Sequence, residues 1–289
     1  VPELPEVETM RRGVLPIVGS RIESVDRPPC LRRPIQIRPR IDAIDRRLRH
    51  RFVTSIGRRG KRVMIEMDDG QVMVIEPRMT GLVLLADPPT TEHLRLRIVL
   101  SGGPCEQLLF WDRRGLGTVR LLHPSEVASV IDVKLGNDAL QITPDQLRMK
   151  LSASRRAIKI ALLDQSAVAG IGNLYAAEIL YVAGIDPRTR CDKLTRPQWS
   201  RIVAATGKVL QLAIHHEGST LSDGTYRNAL NNAGGYQNYH RVYDRAGKPC
   251  LRCGDAEIRR IVQAQRSTFF CPNCQQKSGL HPSVSAEID

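Results

Sequence analysis

The sequence predicts an α+β protein of several domains, and three observations carry that prediction. Apolar residues alternate with period two from about residue 20 to 120. They recur at helical spacing beyond residue 135, and two Cys-x2-Cys pairs bracket a short segment near the end. A length of 289 residues accommodates two domains and a small module.

The elements follow in order. Val7, Met10 and Val14 lie at helical spacing and predict an opening helix over 5–15, weakened at its far end by Gly13 and Pro16. Pro5 suits a first helical turn, and Glu6 and Glu8 suit the positive end of the helix dipole. Val63, Ile65 and Met67 then alternate toward Asp68-Asp69-Gly70, and Val72-Met73-Val74-Ile75 resumes after it; Asp-Gly between such runs predicts a hairpin. Leu94, Leu96, Ile98 and Leu100 alternate with Arg95 and Arg97 before Ser101-Gly102-Gly103-Pro104 turns into Leu108-Leu109-Phe110-Trp111. This half reads as a β-sandwich or barrel.

Helices are expected over 144–152, 155–168, 173–183 and, with a pause, 195–217; Gly184 and Pro187 end the third. Residues 218–240, rich in Gly, Asn, Ser and Tyr, read as a mobile loop. Residues 241–274 read as a metal-stapled hairpin and the polar end as a disordered tail. The expected domains are therefore 1–133, 134–240, 241–275 and a tail over 276–289. No internal repeat of solenoid period is present.

Lys and Arg total 43 against 30 Asp and Glu, a net charge of +13. That excess favours a polyanionic partner, nucleic acid first and a membrane surface second. Arginine is densest over residues 31–62, where composition leaves both a polyanion contact and a solvated face open. No run approaches the roughly 18 apolar residues of a membrane span, and no signal-peptide core is seen, so an exported location is not expected. Four of the seven cysteines form the two pairs, a pattern of metal thiolates in a reducing cytosol.

Several residue groups carry chemistry. If Val1 is absent from the mature chain, Pro2 presents a secondary amine able to attack an electrophilic carbon and form an iminium. An α-amino group titrates about 2–3 units below lysine, so far more of it is nucleophilic near neutral pH. Glu3 beside it can supply a proton. A proline-rich capping turn explains the same residues without any chemistry. Cys250, Cys253, Cys271 and Cys274, with a 17-residue spacer, suit a four-thiolate zinc ribbon. Four thiolates saturate a tetrahedral ion, so one structural Zn²⁺ is expected. Arg266, near a tight turn with Ser267 and Thr268, suits a phosphate clamp or an ordinary exposed surface. Gly170-Ile171-Gly172-Asn173 joins two helices and suits a phosphate site at a helix start or a plain helix corner.

Together these stretches resemble the formamidopyrimidine-DNA glycosylase / endonuclease VIII family. The likeness rests on Pro2-Glu3-Leu4-Pro5-Glu6-Val7-Glu8, Arg58-Arg59-Gly60-Lys61 and Arg78-Met79-Thr80-Gly81 in the first half. It continues through Asp164-Gln165, Gly170-Ile171-Gly172-Asn173-Leu174-Tyr175-Ala176-Ala177-Glu178 and Gln265-Arg266-Ser267-Thr268-Phe269-Phe270-Cys271-Pro272. The resemblance implies an N-terminal β-sandwich with an opening helix, a helix–two-turn–helix domain and a zinc-finger β-hairpin, with damaged double-stranded DNA in the cleft between them.

It implies Pro2 as the Schiff-base nucleophile on C1′ and Glu3 as the donor to the sugar ring oxygen. Lys61 and Arg266 become phosphate contacts and proton donors for β- and δ-elimination. Asn173, His93, Arg114 and Lys159 become DNA contacts, Met79 the void filler and Leu116 the wedge. Glu6, Thr220 and Tyr236 are placed at the extruded base, under a capping loop over 219–240. A monomer in a bacterial cytoplasm, at the nucleoid, completes the expectation.

Four departures from the family pattern stand out. Leu116 replaces an aromatic wedge, Gln265 stands where glycine often precedes the arginine, and the 17-residue spacer more often has 16. Val1 precedes Pro2, and an acylated proline nitrogen cannot form an iminium. Val1 is expected to be the literal reading of a GUG start codon, translated as methionine and removed. The competing readings are a blocked lesion-binding relative and an oxidised-pyrimidine enzyme of the endonuclease VIII type; the full Pro2–Glu8 run and the long loop favour oxidised purines.

Overall fold

The computed structural model describes residues 2–221 and 224–276. Val1, Ser222, Asp223 and the expected tail from residue 277 onward lie outside the described residues. Gln276, assigned to that tail, instead bridges Ile185 in parallel. The chain divides into two compact units, Val1–Lys134 with Leu212–Gln237, and Leu135–Gln211 with Asn238–Asp289.

The first unit opens with α1 (Leu4–Gly13), capped by Glu3 in extended backbone and carrying Pro5 in its first turn. Leu4, Val7, Met10 and the following Val14 have no exposed surface. Each such side chain contributes ~1.5–3 kcal/mol by burial. The helix ends two residues before expectation and passes into a 3₁₀ turn at Leu15–Ile17, started by Pro16.

Then come β1 (Arg21–Asp26), β2 (Gln36–Arg38), α2 (Ile41–Leu48), β3 (Val53–Arg59), β4 (Arg62–Met67) and β5 (Val72–Glu76). β6 (Gly81–Leu84), β7 (Leu94–Ser101), β8 (Gln107–Asp112), β9 (Thr118–Leu122) and α3 (Pro124–Val130) complete the run. One sheet has the order β1-β7-β8-β6 and the other β2-β9-β5-β4-β3. Val25, Leu96, Ile98 and Phe110 of one sheet share a core cluster with Val63, Ile65, Met73, Ile75 and Val119 of the other and with α1. The alternation builds a β-sandwich. The Asp-Gly hairpin forms as expected, with Val63 opposite Ile75 across β4 and β5.

Two helices in this half, α2 and α3, break the period-two pattern. In α2, Ile41, Ile44 and Leu48 keep helical spacing within an arginine-rich run, and Ile44 and Leu48 are fully buried. Asp45 fixes the helix to β1 by accepting the Val25 N–H at 2.8 Å. The arginine run is also less free than its composition suggests. Arg32, Arg49, Arg51, Arg58, Arg59 and Arg62 pair with Glu92, Asp45, Asp69, Glu8, Asp132 and Glu76, most of them distant in sequence.

The second unit contains β10 (Asn137–Asp138), α4 (Pro144–Leu151), α5 (Ile158–Leu162), β11 (Val168–Ala169), α6 (Asn173–Ala183) and most of α7 (Arg196–His215). α6 has the expected bounds and ends on Gly184 at φ +68°, a left-handed cap that glycine takes without strain. The helix expected over 155–168 shrinks to α5. Asp164 ends it by accepting the Ser166 N–H at 3.0 Å and hydroxyl at 2.6 Å, and Val168–Ala169 then extends in parallel beside β10. The expected pause in the last helix is absent, for α7 is continuous. β12 (Arg259–Gln263) and β13 (Arg266–Phe270) form the C-terminal hairpin.

Candidate functional site

At the head of α1 the backbone holds Pro2 and Glu3 in place. Both are buried, Glu3 to 4 % exposure. The Glu6 carboxylate accepts the Glu3 N–H at 2.9 Å with one oxygen and the Ser219 N–H at 2.9 Å with the other. Glu6 thus ties the start of the chain to the start of the long loop. With Tyr226 and Ala229 packed in the sandwich core and the Leu85 N–H on the Ala229 carbonyl at 2.9 Å, this link joins residues 212–237 to the first unit, although the sequence places them with the helices.

The loop is organised through its own backbone. Thr220 donates its N–H to the Gln237 side chain at 3.0 Å and its hydroxyl to the Tyr226 carbonyl at 2.8 Å, and accepts the Gly234 N–H at 2.9 Å. Tyr236 is fully buried, with its N–H on the Gly218 carbonyl at 2.9 Å. Tyr226 donates to the Glu217 carbonyl at 2.9 Å; burial and then the Glu6 charge push its phenol well above the ordinary value.

Lys61 follows Gly60 in the turn between β3 and β4, half-buried. Arg58 braces that turn by donating to the Gly60 carbonyl at 2.9 Å and to Glu8 at 3.1 Å. Burial pulls the Glu8 carboxyl upward, but hydrogen bonds from Arg11 and Arg12 and the charges of Arg11 and Arg58 prevail and hold it below the usual range. Glu8 and Arg58 thus brace the backbone of the turn that carries Lys61. Sequence spacing gives no hint that they meet.

Met79 and the turn bearing Arg114 and Leu116 are joined through a second carboxylate. Asp112 accepts the Thr80 hydroxyl at 2.5 Å, the Arg114 N–H at 3.2 Å and the Gly117 N–H at 2.7 Å. Arg114 is exposed, Met79 is 37 % exposed, and Leu116 is half-buried. His93 stands edge-on to Trp111, ring centroids 5.4 Å apart, and its side chain is 14 % exposed. Thr80 and Asp112 are missed by sequence reasoning because their role is tertiary.

In the second unit Asn173 starts α6 and meets the hairpin directly. Its amide donates to the Ser267 carbonyl at 3.1 Å, one residue beyond the exposed Arg266. Lys159, expected among the DNA contacts, lies beside Asn173. It is 0 % exposed and does not reach solvent; its ammonium donates to the Asn173 amide oxygen and to the Ser267 carbonyl. Lys159 is thus held against Asn173 and the hairpin backbone. Gln165 straps the corner between α5 and α6, donating to the Ile171 carbonyl at 2.8 Å and accepting the Gly170 N–H at 3.0 Å.

The hairpin turn places Ala264 at φ +45° and Gln265 at φ +59°. Two positive φ values at consecutive non-glycine residues carry a conformational cost in the two-residue turn that precedes Arg266.

The four thiols fit a metal. Their sulfurs all lie within 4.8 Å of one another, and the Cys250–Cys274 and Cys253–Cys271 pairs are 3.8 Å apart. A tetrahedral ion with Zn–S bonds of about 2.3 Å requires edges of about 3.8 Å. The site holds one structural zinc ion, and Tyr181 lies 3.4 Å from the Cys250 sulfur as an outer-sphere partner. Glu178, fully buried in α6, accepts the N–H groups of Arg241, Val242 and Tyr243 and anchors the module; burial outweighs those bonds and raises its carboxyl.

Comparison with known proteins matches three family models in chain order. Residues 1–119 match the formamidopyrimidine-DNA glycosylase N-terminal domain, 135–225 its H2TH domain, and 247–277 a zinc finger found in FPG and IleRS. A formamidopyrimidine-DNA glycosylase of Chloroflexus aurantiacus is 40% identical over 95% of this chain and 98% of its own. Two Lactococcus lactis Fpg structures superpose with TM-scores of 0.84. One, a complex with abasic-site DNA, is 34% identical and covers 95% of this chain and 100% of that one. The other, a complex with N7-benzyl-Fapy-dG DNA, is 35% identical and covers 96% and 100%. Likeness of this extent, colinear through sandwich, helices and thiolate hairpin, has one meaning: the chain belongs to the formamidopyrimidine-DNA glycosylase family.

Proposed function

We propose that the protein is a bifunctional DNA glycosylase and abasic-site lyase of base-excision repair that removes oxidised purines, 8-oxoguanine and formamidopyrimidine. The observation that carries this reading is the lodging of Pro2 and Glu3 at the head of α1, held by Glu6 against the loop. The Lactococcus lactis relatives, bound to abasic and Fapy-dG DNA, support the substrate class.

The chemistry runs through one nitrogen. The Pro2 amine attacks C1′ of an extruded nucleotide while Glu3 protonates the ring oxygen, and the damaged base leaves. The resulting iminium draws electrons from the sugar, so that β- and then δ-elimination expel the flanking phosphates, with Lys61 and Arg266 on those phosphates and supplying protons. Asn173 holds a third phosphate contact, with Lys159 as its positioning residue. Met79, Arg114 and Leu116 occupy the space the nucleotide vacates. Thr220 and Tyr236 shape the loop over the base, and His93 lies along the strand. The protein acts as a monomer, in the cytoplasm at the nucleoid, a setting its +13 charge suits.

Cleavage of 8-oxoguanine:C and thymine-glycol duplexes tests the lesion class. Faster cleavage of the purine lesion is expected, and the reverse order assigns the protein to oxidised pyrimidines. Lys61→Ala and Arg266→Ala are each expected to weaken binding to all sequences and to flatten the salt slope by about one unit. Unchanged slopes in both variants would remove them from the phosphates.

A further inference from the structure

The segment after β1 lays a cysteine against a buried guanidinium. Arg95 of β7 is 2 % exposed; its Nε donates to the Asp112 carbonyl at 2.8 Å and its Nη1 to the Cys30 sulfur at 2.7 Å. Its Nη2, also buried, has no hydrogen-bond partner among the described residues. Leaving a charged donor buried and unsatisfied is costly, so the arrangement selects for an acceptor at that atom. Nη1 and Nη2 form one edge of a planar fork that accommodates two adjacent acceptor atoms. Sulfur fills the first position, and the second is the one an oxygen bonded to that sulfur would take.

We propose that Cys30 is a site of reversible oxidation by peroxide, its sulfenate held by Arg95. The Cys30 thiol donates to the Glu92 carbonyl at 3.1 Å; once that proton passes to solvent, the sulfur attacks one peroxide oxygen, the S–O bond forming as the O–O bond breaks. The departing hydroxide takes the sulfenic proton and leaves as water, so sulfur loses two electrons and peroxide gains them. Two equivalents of a small thiol reverse the change through a mixed disulfide.

The other unpaired cysteines offer no such place. Cys191 is 0 % exposed, and burial pushes its thiol up to about 11. Cys105 is half-buried beside Glu106, an anion rather than a cation.

Arg95 also supports the Asp112 turn through the carbonyl it holds, and Arg33 packs against that turn at Gly115. Gly115, at φ +63°, lies so near the Arg33 carbonyl that an added Cβ would stand 2.5 Å from its oxygen. Oxidation at Cys30 therefore acts on the turn that presents Arg114 and Leu116, and its effect on DNA cleavage rests on the function proposed above.

Peroxide treatment of the zinc-loaded full chain with dimedone, followed by peptide mass spectrometry, tests the site without any DNA. Cys30 is expected to label about tenfold faster than Cys105, the rate equivalent of one charge-assisted hydrogen bond, and Arg95→Lys to remove the advantage. Equal labelling of Cys30 and Cys105 in the unmodified protein would overturn the proposal whatever the variant does. Cleavage of damaged DNA should fall on mild oxidation, recover with thiol, and resist oxidation in Cys30→Ala. Equal loss in Cys30→Ala would sever the link to the turn.

Discussion

Replacing Glu3 by glutamine is expected to slow base removal by about two to four orders of magnitude, the usual worth of a positioned general acid. Cleavage of a preformed abasic site should fall far less, because no glycosidic bond remains to be broken. The contrast is readable because the exchange spares the fold. The capping box joins the Glu3 N–H to the Glu6 carboxylate and the Glu6 N–H to the Glu3 side chain; a glutamine amide oxygen still accepts the second bond, so α1 keeps its start. Glu6→Gln makes the complementary case: it weakens the tie between α1 and Ser219 and should depress both activities together. Equal loss of both activities in Glu3→Gln would assign that carboxylate a structural role only.

Removal of zinc is expected to abolish both binding and cleavage. The metal supplies ~10–16 kcal/mol of apparent binding energy in small thiolate modules. A two-stranded hairpin does not stand alone without such support. Losing β12 and β13 displaces Arg266 and withdraws the Ser267 carbonyl to which both Asn173 and Lys159 donate. It also strands a buried carboxylate, since Glu178 accepts N–H groups from Arg241, Val242 and Tyr243 at the root of the module. Chelation with metal analysis, then titration with Zn²⁺, should show activity lost and regained in step with one equivalent of ion. Full activity in metal-free protein would refute the structural role.

Much of the fold was readable because period and punctuation agreed. The Asp68-Asp69-Gly70 hairpin and α6, with Gly184 behind it, needed only local information. α2 was hidden because only three apolar residues, Ile41, Ile44 and Leu48, mark its face within an arginine-rich run. The helix over 155–168 was overextended because side-chain capture at Asp164 outweighs helical periodicity.

The site divides along the same line. Its chemistry-bearing residues announce themselves by type and motif, whereas those that aim them do not. Thr80, Asp112, Arg58 and Glu8 act across long sequence separations. Lys159, expected as a DNA contact, is buried with its ammonium on the Asn173 amide oxygen, a placement no local pattern announces.

All of this turns on whether the imino nitrogen of the second residue is a free base that bonds to deoxyribose. Borohydride trapping on an abasic duplex, with the cross-linked peptide then sequenced, reads that bond directly. A covalent adduct at Pro2, lost when that amine is acetylated, is the expected result. An intact valine ahead of it in protein from its native host, with no adduct at any residue, would contradict the mechanism and leave a protein that binds lesions without cutting them.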